Sequence, residues 1–179
     1  MKMKLGMIGT VSLVLMLTIG HVSASAPNCG LPRVSGLNEL NELLSLRAVD
    51  FVERAASPKS DLAPLMSPSA EFSLGAGDVG RPLGSGIVGA RKLAHTMNAN
   101  RYRFLGWDYM DGPAEACARN EVEVEFIDSR NQFVSKMKFI FEGGRVVKAD
   151  GWQRSFKTGH VNGFARPVIR GNRCPLLAV

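Results

Sequence analysis

Five side chains in this 179-residue chain have the chemistry for acid–base work: His95, Asp108, Asp150, Tyr102 and Tyr109. Histidine takes up a proton readily near neutral pH, a carboxylate orients it or acts as the acid, and a tyrosine hydroxyl donates to developing oxyanion charge. Together they describe a cofactor-independent lyase, isomerase or hydrolase. Each also has a plainer reading. Leu93 and Met97 flank His95 at two residues on either side, and positions two apart do not share a helical face. His95 therefore also fits the polar side of a helix. Asp150 shares strand parity with Val146, Lys148, Trp152 and Arg154, which puts it on an outer sheet face unless a bulge reverses that parity. Trp107, Met97 and Phe139 are the expected apolar contacts for a ligand.

Metal and cofactor chemistry finds little material. Glu121, Glu123 and Glu125 alternate along one segment, and alternate strand residues sit roughly 6.5 Å apart, too far to chelate one ion without partners. They match Lys136 and Lys138 as a cross-strand charge ladder instead. His160 stands without a nearby second ligand, and no Cys-x-x-Cys occurs. Gly75-Ala-Gly-Asp-Val-Gly80 and Gly84-Ser-Gly-Ile-Val-Gly89 both satisfy the dinucleotide pattern. The second lacks the buried strand that should precede it, since Val79-Gly-Arg-Pro-Leu83 occupies that place, and no repeated βαβ pattern follows. No metal and no cofactor is expected; the glycine-rich stretch reads as a loop at a pocket mouth.

The elements that position these residues follow from periodicity. Leu37 to Ala56 carries apolar residues at helical spacing with charges between them, and Pro58 stops it. A short helix from Ser60 to Met66, a short strand from Glu71 to Leu74, an irregular loop over Gly75–Gly89 and a helix from Val88 to Asn98 come next. From Arg101 the period falls to two. Tyr102–Tyr109 is a strand; Val122, Val124 and Phe126 mark a second; Phe133, Met137, Phe139 and Phe141 a third. Gly143-Gly144 turns the chain into a fourth, Arg145 to Phe156. Helices first and strands after imply α+β with an antiparallel curved sheet.

The first 26 residues read as a secretory signal peptide: Lys2 and Lys4, an apolar run from Leu5 to Ile19, then Ala24-Ser25-Ala26 before Pro27. The apolar run is shorter than the ~20 residues a membrane-crossing helix needs. Cleavage after Ala26 leaves 153 of the 179 residues and removes two of the 22 basic residues and none of the 16 acidic ones, for a balance of 20 against 16. That excess is too small and too dispersed for a nucleic-acid footprint. The expected location is the periplasm or the exterior, with no stable membrane anchor after cleavage. Residues 27–156 form the domain and 157–179 a tail packed on it. Of three cysteines, Cys29 and Cys174 lie near the two ends of the processed chain, and the ends of compact domains are often neighbours, so this pair is the expected disulfide, with Cys117 left over.

The stretch Gly86-Ile-Val-Gly-Ala-Arg-Lys-Leu-Ala-His-Thr-Met97, followed by EVEVEFID, QFVSKMKFIFEGG and RVVKADGWQRSF, resembles the NTF2-like superfamily and in particular its SnoaL-like branch. The resemblance covers about Gly36 to Phe156. It implies an NTF2-like cone, with N-terminal helices packed on a strongly bent antiparallel sheet around an apolar pocket. The superfamily holds isomerases, dehydratases, hydrolases and domains that only bind or dimerise. The leading expectation is thus an exported domain that binds a small, mostly apolar molecule. Arg91, Arg101 and Arg103 near the pocket-side elements lean it towards an anionic one. The enzyme described above is one alternative. A homodimerising interaction module is the other, using an outer face that displays Phe104, Trp152 and the Glu/Lys pairs.

Overall fold

The computed structural model describes residues 29–76, 80–105, 115–156 and 166–167. The expected signal segment, Trp107, Asp108, Tyr109, His160 and Cys174 lie outside these residues. Among the described residues no helix is long and apolar enough to cross a membrane.

Helix α1 spans Leu37–Ala55 and buries Leu40, Leu44, Ala48, Phe51, Val52 and Ala55, a stripe at intervals of three and four. Its N-cap, Gly36, has no side chain to offer. The Glu39 carboxylate instead accepts from both the backbone N–H and the hydroxyl of Ser35, each at 2.7 Å. The chain then turns at 63–65 where a short helix was expected, and strand β1 runs from Met66 to Ala76, much longer than the Glu71–Leu74 reading. Within the glycine-rich stretch strand β2 spans Pro82–Ser85, followed by helix α2, Gly86–Met97. Strands β3 (Arg101–Phe104), β4 (Asn120–Asp128), β5 (Phe133–Glu142) and β6 (Arg145–Ser155) follow, with a two-residue β7 at Arg166–Pro167.

The sheet order is β2-β1-β6-β5-β4-β3-β7. The α+β class holds, but the strongly bent antiparallel cone does not: the sheet is open, neither closed nor strongly curled, and β1 runs parallel to β6. The reason is local to one half of the sheet. Strong bending needs bulges or glycine kinks, and β4 and β5 pair without a register shift from Asn120↔Phe141 to Asp128↔Phe133, the shifts lying in β5–β6 and in the pairings of β1.

One face of the sheet meets the helices. Phe51 stacks on Phe72 with centroids 5.6 Å apart, and Phe139 meets Phe51 and Phe126 edge-on. α2 closes onto this layer through Gly89, where a Cβ would sit 2.5 Å from the Gly84 carbonyl oxygen and 2.9 Å from the Phe72 ring. Gly86, with φ +59, lets the chain enter the helix beside the Pro68 carbonyl. The second dinucleotide-like motif is therefore a packing device: its glycines let α2 lie against β1 and β2.

The opposite face carries the charge ladder. Lys136 pairs with Glu123 at 2.8 Å, Lys138 with Glu121 at 3.4 Å, and Arg103 with the buried Glu125. Register puts Trp152 beside Lys136 and Asp150 beside Lys138 on this outer face. A bulge at Ile140/Phe141 moves Val146 to the buried face opposite Phe141, against its simple parity. Phe104 also departs from expectation. It is paired with Val124 and packed against the helix-side core, so it is absent from the outer face.

The disulfide is Cys29–Cys117, with Cα atoms 5.6 Å apart, and this corrects the expected Cys29–Cys174 pair. Nearness of the chain ends was the wrong guide. The N-terminal segment is held at the β5–β6 hairpin, where Leu31 lies against Gly144 and the Gly143 N–H donates to the Cys117 carbonyl at 3.1 Å. Arg47 on α1 donates to the Gly144 carbonyl from the other side and to the Pro64 carbonyl at 2.9 Å.

Candidate functional site

An open cleft of about 400 Å³ lies where α2 ends against the β4–β5 turn, lined by His95, Thr96, Asn98, Asp128, Asn131, Phe133 and Gln153. Its floor is built around Asp128, the last residue of β4 and only 3% exposed. One carboxylate oxygen accepts from the backbone N–H groups of Arg130 and Asn131, both at 3.1 Å. The other accepts from the side-chain amides of Asn98 at 2.9 Å and Asn131 at 2.6 Å. Burial pushes the Asp128 carboxyl up. The side-chain and backbone N–H groups of Asn131, then those of Asn98 and Arg130, outweigh it and hold the group below the usual carboxylate range. Four accepted hydrogen bonds use the capacity of an ionised carboxylate. Asp128 therefore joins the helix to the hairpin and has no oxygen left to orient a neighbouring base.

The walls follow from local chain chemistry. Asn98 closes α2 in the left-handed region at φ 43, a conformation asparagine tolerates, and its N–H caps the Ala94 carbonyl at 3.0 Å. Asn100 then ties the same helix exit to Ser129 through three hydrogen bonds. Phe133, at the start of β5, stays 38% exposed. Gln153, near the end of β6, donates to the buried Ser135 hydroxyl at 3.1 Å.

Of the three acid–base candidates among the described residues the cleft takes in His95 alone, exposed in the last turn of α2. Tyr102 points to the helix side, 9% exposed, its ring 5.4 Å from that of Phe104. Asp150 lies on the outer face, 3.4 Å from the Lys148 ammonium. Asp108 and Tyr109 fall outside the described residues, as does the ligand candidate Trp107. Met97 and Phe139, the other two, are 1% and 0% exposed within the core and do not line the cleft. None of Arg91, Arg101 and Arg103 lines it either. Arg103 is taken by Glu125, Arg101 is exposed on the outer register, and the Arg91 Nε is buried without a hydrogen-bond partner.

The lining residues that sequence reasoning passed over are Thr96, Asn98, Asp128, Asn131, Phe133 and Gln153. Two of them carried a signal. Asp128-Ser-Arg-Asn131 between two alternating segments is a turn whose side chains bond their own backbone, and an asparagine directly after a helix is a C-cap candidate.

No protein-family model matches the chain, and no curated protein matches it. Among solved structures it is similar to a de novo designed NTF2 fold protein, NT-9, at 13% identity over 67% of this chain and 88% of that one, with a TM-score of 0.37. It is also similar to a phenazine biosynthesis-related protein from Pseudomonas aeruginosa, at 12% identity over 71% of this chain and 85% of that one, with a TM-score of 0.34. Likeness at this level carries nothing about activity. These likenesses assign the chain to no superfamily and single out no SnoaL-like branch.

Proposed function

We propose that this protein is an exported binding domain that holds a small molecule in the cleft at the end of α2. The observation that carries the reading is the cleft itself. At about 400 Å³ it falls within the size range of small-ligand sites, and it combines one exposed aromatic ring with several fixed polar groups. The ligand is accordingly a molecule with a flat apolar part for Phe133 and a hydrogen-bonding part for the amides. The expectation of a mostly apolar ligand gives way to this amphipathic one. Binding is favoured over catalysis because, among the described residues, the one carboxylate lining the cleft is fully engaged by amides and leaves His95 no acid–base partner there.

Export is supported by the basic start, apolar run and Ala24-Ser25-Ala26 of the leader. The Cys29–Cys117 bridge agrees, since disulfides persist in oxidising compartments. The test is to express the full chain in an exporting bacterium, recover it from the exported fraction, and record its native mass and N-terminal residue. The expected protein starts at Pro27 and carries a small molecule that is lost from a Phe133→Ala variant. A chain that starts at Met1 and is absent from the exported fraction overturns export. A chain with no added mass, or with the same mass retained by Phe133→Ala, overturns the cleft as the binding site.

A further inference from the structure

We infer that the cleft selects a small organic cation, a protonated amine or quaternary nitrogen carried on a flat apolar body. This rests on the cleft being the binding site, and it replaces the anionic lean drawn from Arg91, Arg101 and Arg103, none of which reaches the cleft.

Four features point the same way. The Asp128 carboxylate at the floor is ionised, and all four of its hydrogen-bond donors are neutral amides. Among the described residues no lysine or arginine lies within ion-pair distance of it, so its charge is spread without being cancelled. Secondly, α2 ends on the cleft rim at His95, Thr96 and Asn98, and the C-terminal end of a helix carries partial negative charge that favours cations.

The amides supply the third feature. Asn98 and Asn131 each commit an N–H to Asp128, and Gln153 commits one to Ser135. Each keeps a carbonyl oxygen that can accept from an N–H-bearing cation; the second N–H of each amide also remains, so the amides serve the cation's hydrogen bonds while the charge preference comes from Asp128 and the helix end. Lastly, the exposed Phe133 ring offers the face on which a cation or its apolar body rests. Among the described residues the nearby cations do not line the cleft: Lys92 lies a turn earlier on α2, Arg130 sits exposed in the turn, and the Arg154 guanidinium lies 5.3 Å from the centre of the Trp152 ring.

The experiment is an NMR titration of the full isotope-labelled chain with three ligands that share one ring: benzylammonium, benzyl alcohol and benzoate. Benzylammonium is expected to shift the signals of His95, Asn98, Phe133 and Gln153 at concentrations at least tenfold below those of the other two. Gln153→Lys places a competing ammonium in the cleft without touching the Asp128 hydrogen bonds, and is expected to weaken benzylammonium at least tenfold while the α1 signals stay in place. Equal response to all three ligands at these residues overturns the cation preference and leaves the cleft standing as a site. Benzylammonium binding that Gln153→Lys does not weaken also overturns it. No shift at these residues with any ligand overturns both the preference and the cleft reading.

Discussion

Cutting the Cys29–Cys117 bridge is the perturbation whose size is best worked from the structure. The bridge joins residues 88 apart in sequence. In the chain-entropy treatment a loop of that length removes about 15 cal/mol/K from the unfolded ensemble, or about 4.6 kcal/mol at 25 °C. The whole stability of a domain is roughly 5–15 kcal/mol, so the reduced protein is expected to be marginal. The local contacts add to this: Leu31 rests against Gly144, and the Cys29 N–H lies 3.2 Å from the Cys117 sulfur, so the released segment also loses its packing. With a urea dependence of roughly 2 kcal/mol/M, Cys29→Ser is expected to lower the unfolding midpoint by about 2 M. Urea unfolding followed by circular dichroism measures it, with Cys117→Ser as the matching variant and Cys174→Ser as the control. A Cys29→Ser shift below about 0.5 M, or a Cys174→Ser shift as large as that of Cys29→Ser, would refute the argument.

Two other perturbations test the helix–sheet join. Gly89→Ala forces a methyl group to 2.5 Å from the Gly84 carbonyl oxygen, and overpacking of this kind costs about 1–3 kcal/mol; thermal unfolding reads it, and an unchanged midpoint would contradict the close approach. Asp128 has a folded-state pKa below its unfolded one, so its contribution is fully present above the unfolded value of about 4 and is lost as pH falls through the lower folded value. Stability measured from pH 7 down to pH 2 should therefore fall less steeply in Asp128→Asn than in the parent, and parallel curves would rule out a role for this carboxylate in acid sensitivity.

Much of the fold was legible because strand and helix periods are set by which side chains must be buried. α1 was read to within a residue, and the β4, β5 and β6 segments declared themselves by strict alternation, down to the Glu/Lys ladder on one face. β1 was harder. Met66-Ser-Pro-Ser-Ala mixes small and polar residues, and what makes it a strand is its place beside β6, a partner distant in sequence. The parity of Val146 failed because a bulge cannot be read from alternation alone. The cleft was the least legible part. Its polar groups come from the end of a helix, a turn and the ends of two strands, which no single motif spans. His95 was found because its side chain advertises chemistry. Asp128 was not, because its role depends on four amides brought together only by the fold.

The parallel seam between β1 and β6 sets the order in which the chain becomes protein. β4, β5 and β6 are joined by short turns and close on one another as they emerge. β1, residues 66–76, has to wait for residues 145–155 before its main partner exists. Until then Phe72 and Leu74, both buried in the finished fold, have only the short β2 and the helices to cover them. Distant pairings of this sort slow folding and leave apolar strand exposed to other chains meanwhile. On the export route proposed above, with the chain threaded through a membrane from its N-terminus, that interval would last until nearly the whole domain has crossed. The early half would therefore reach the far side unfinished, needing either speed or a chaperone's protection until β6 arrives.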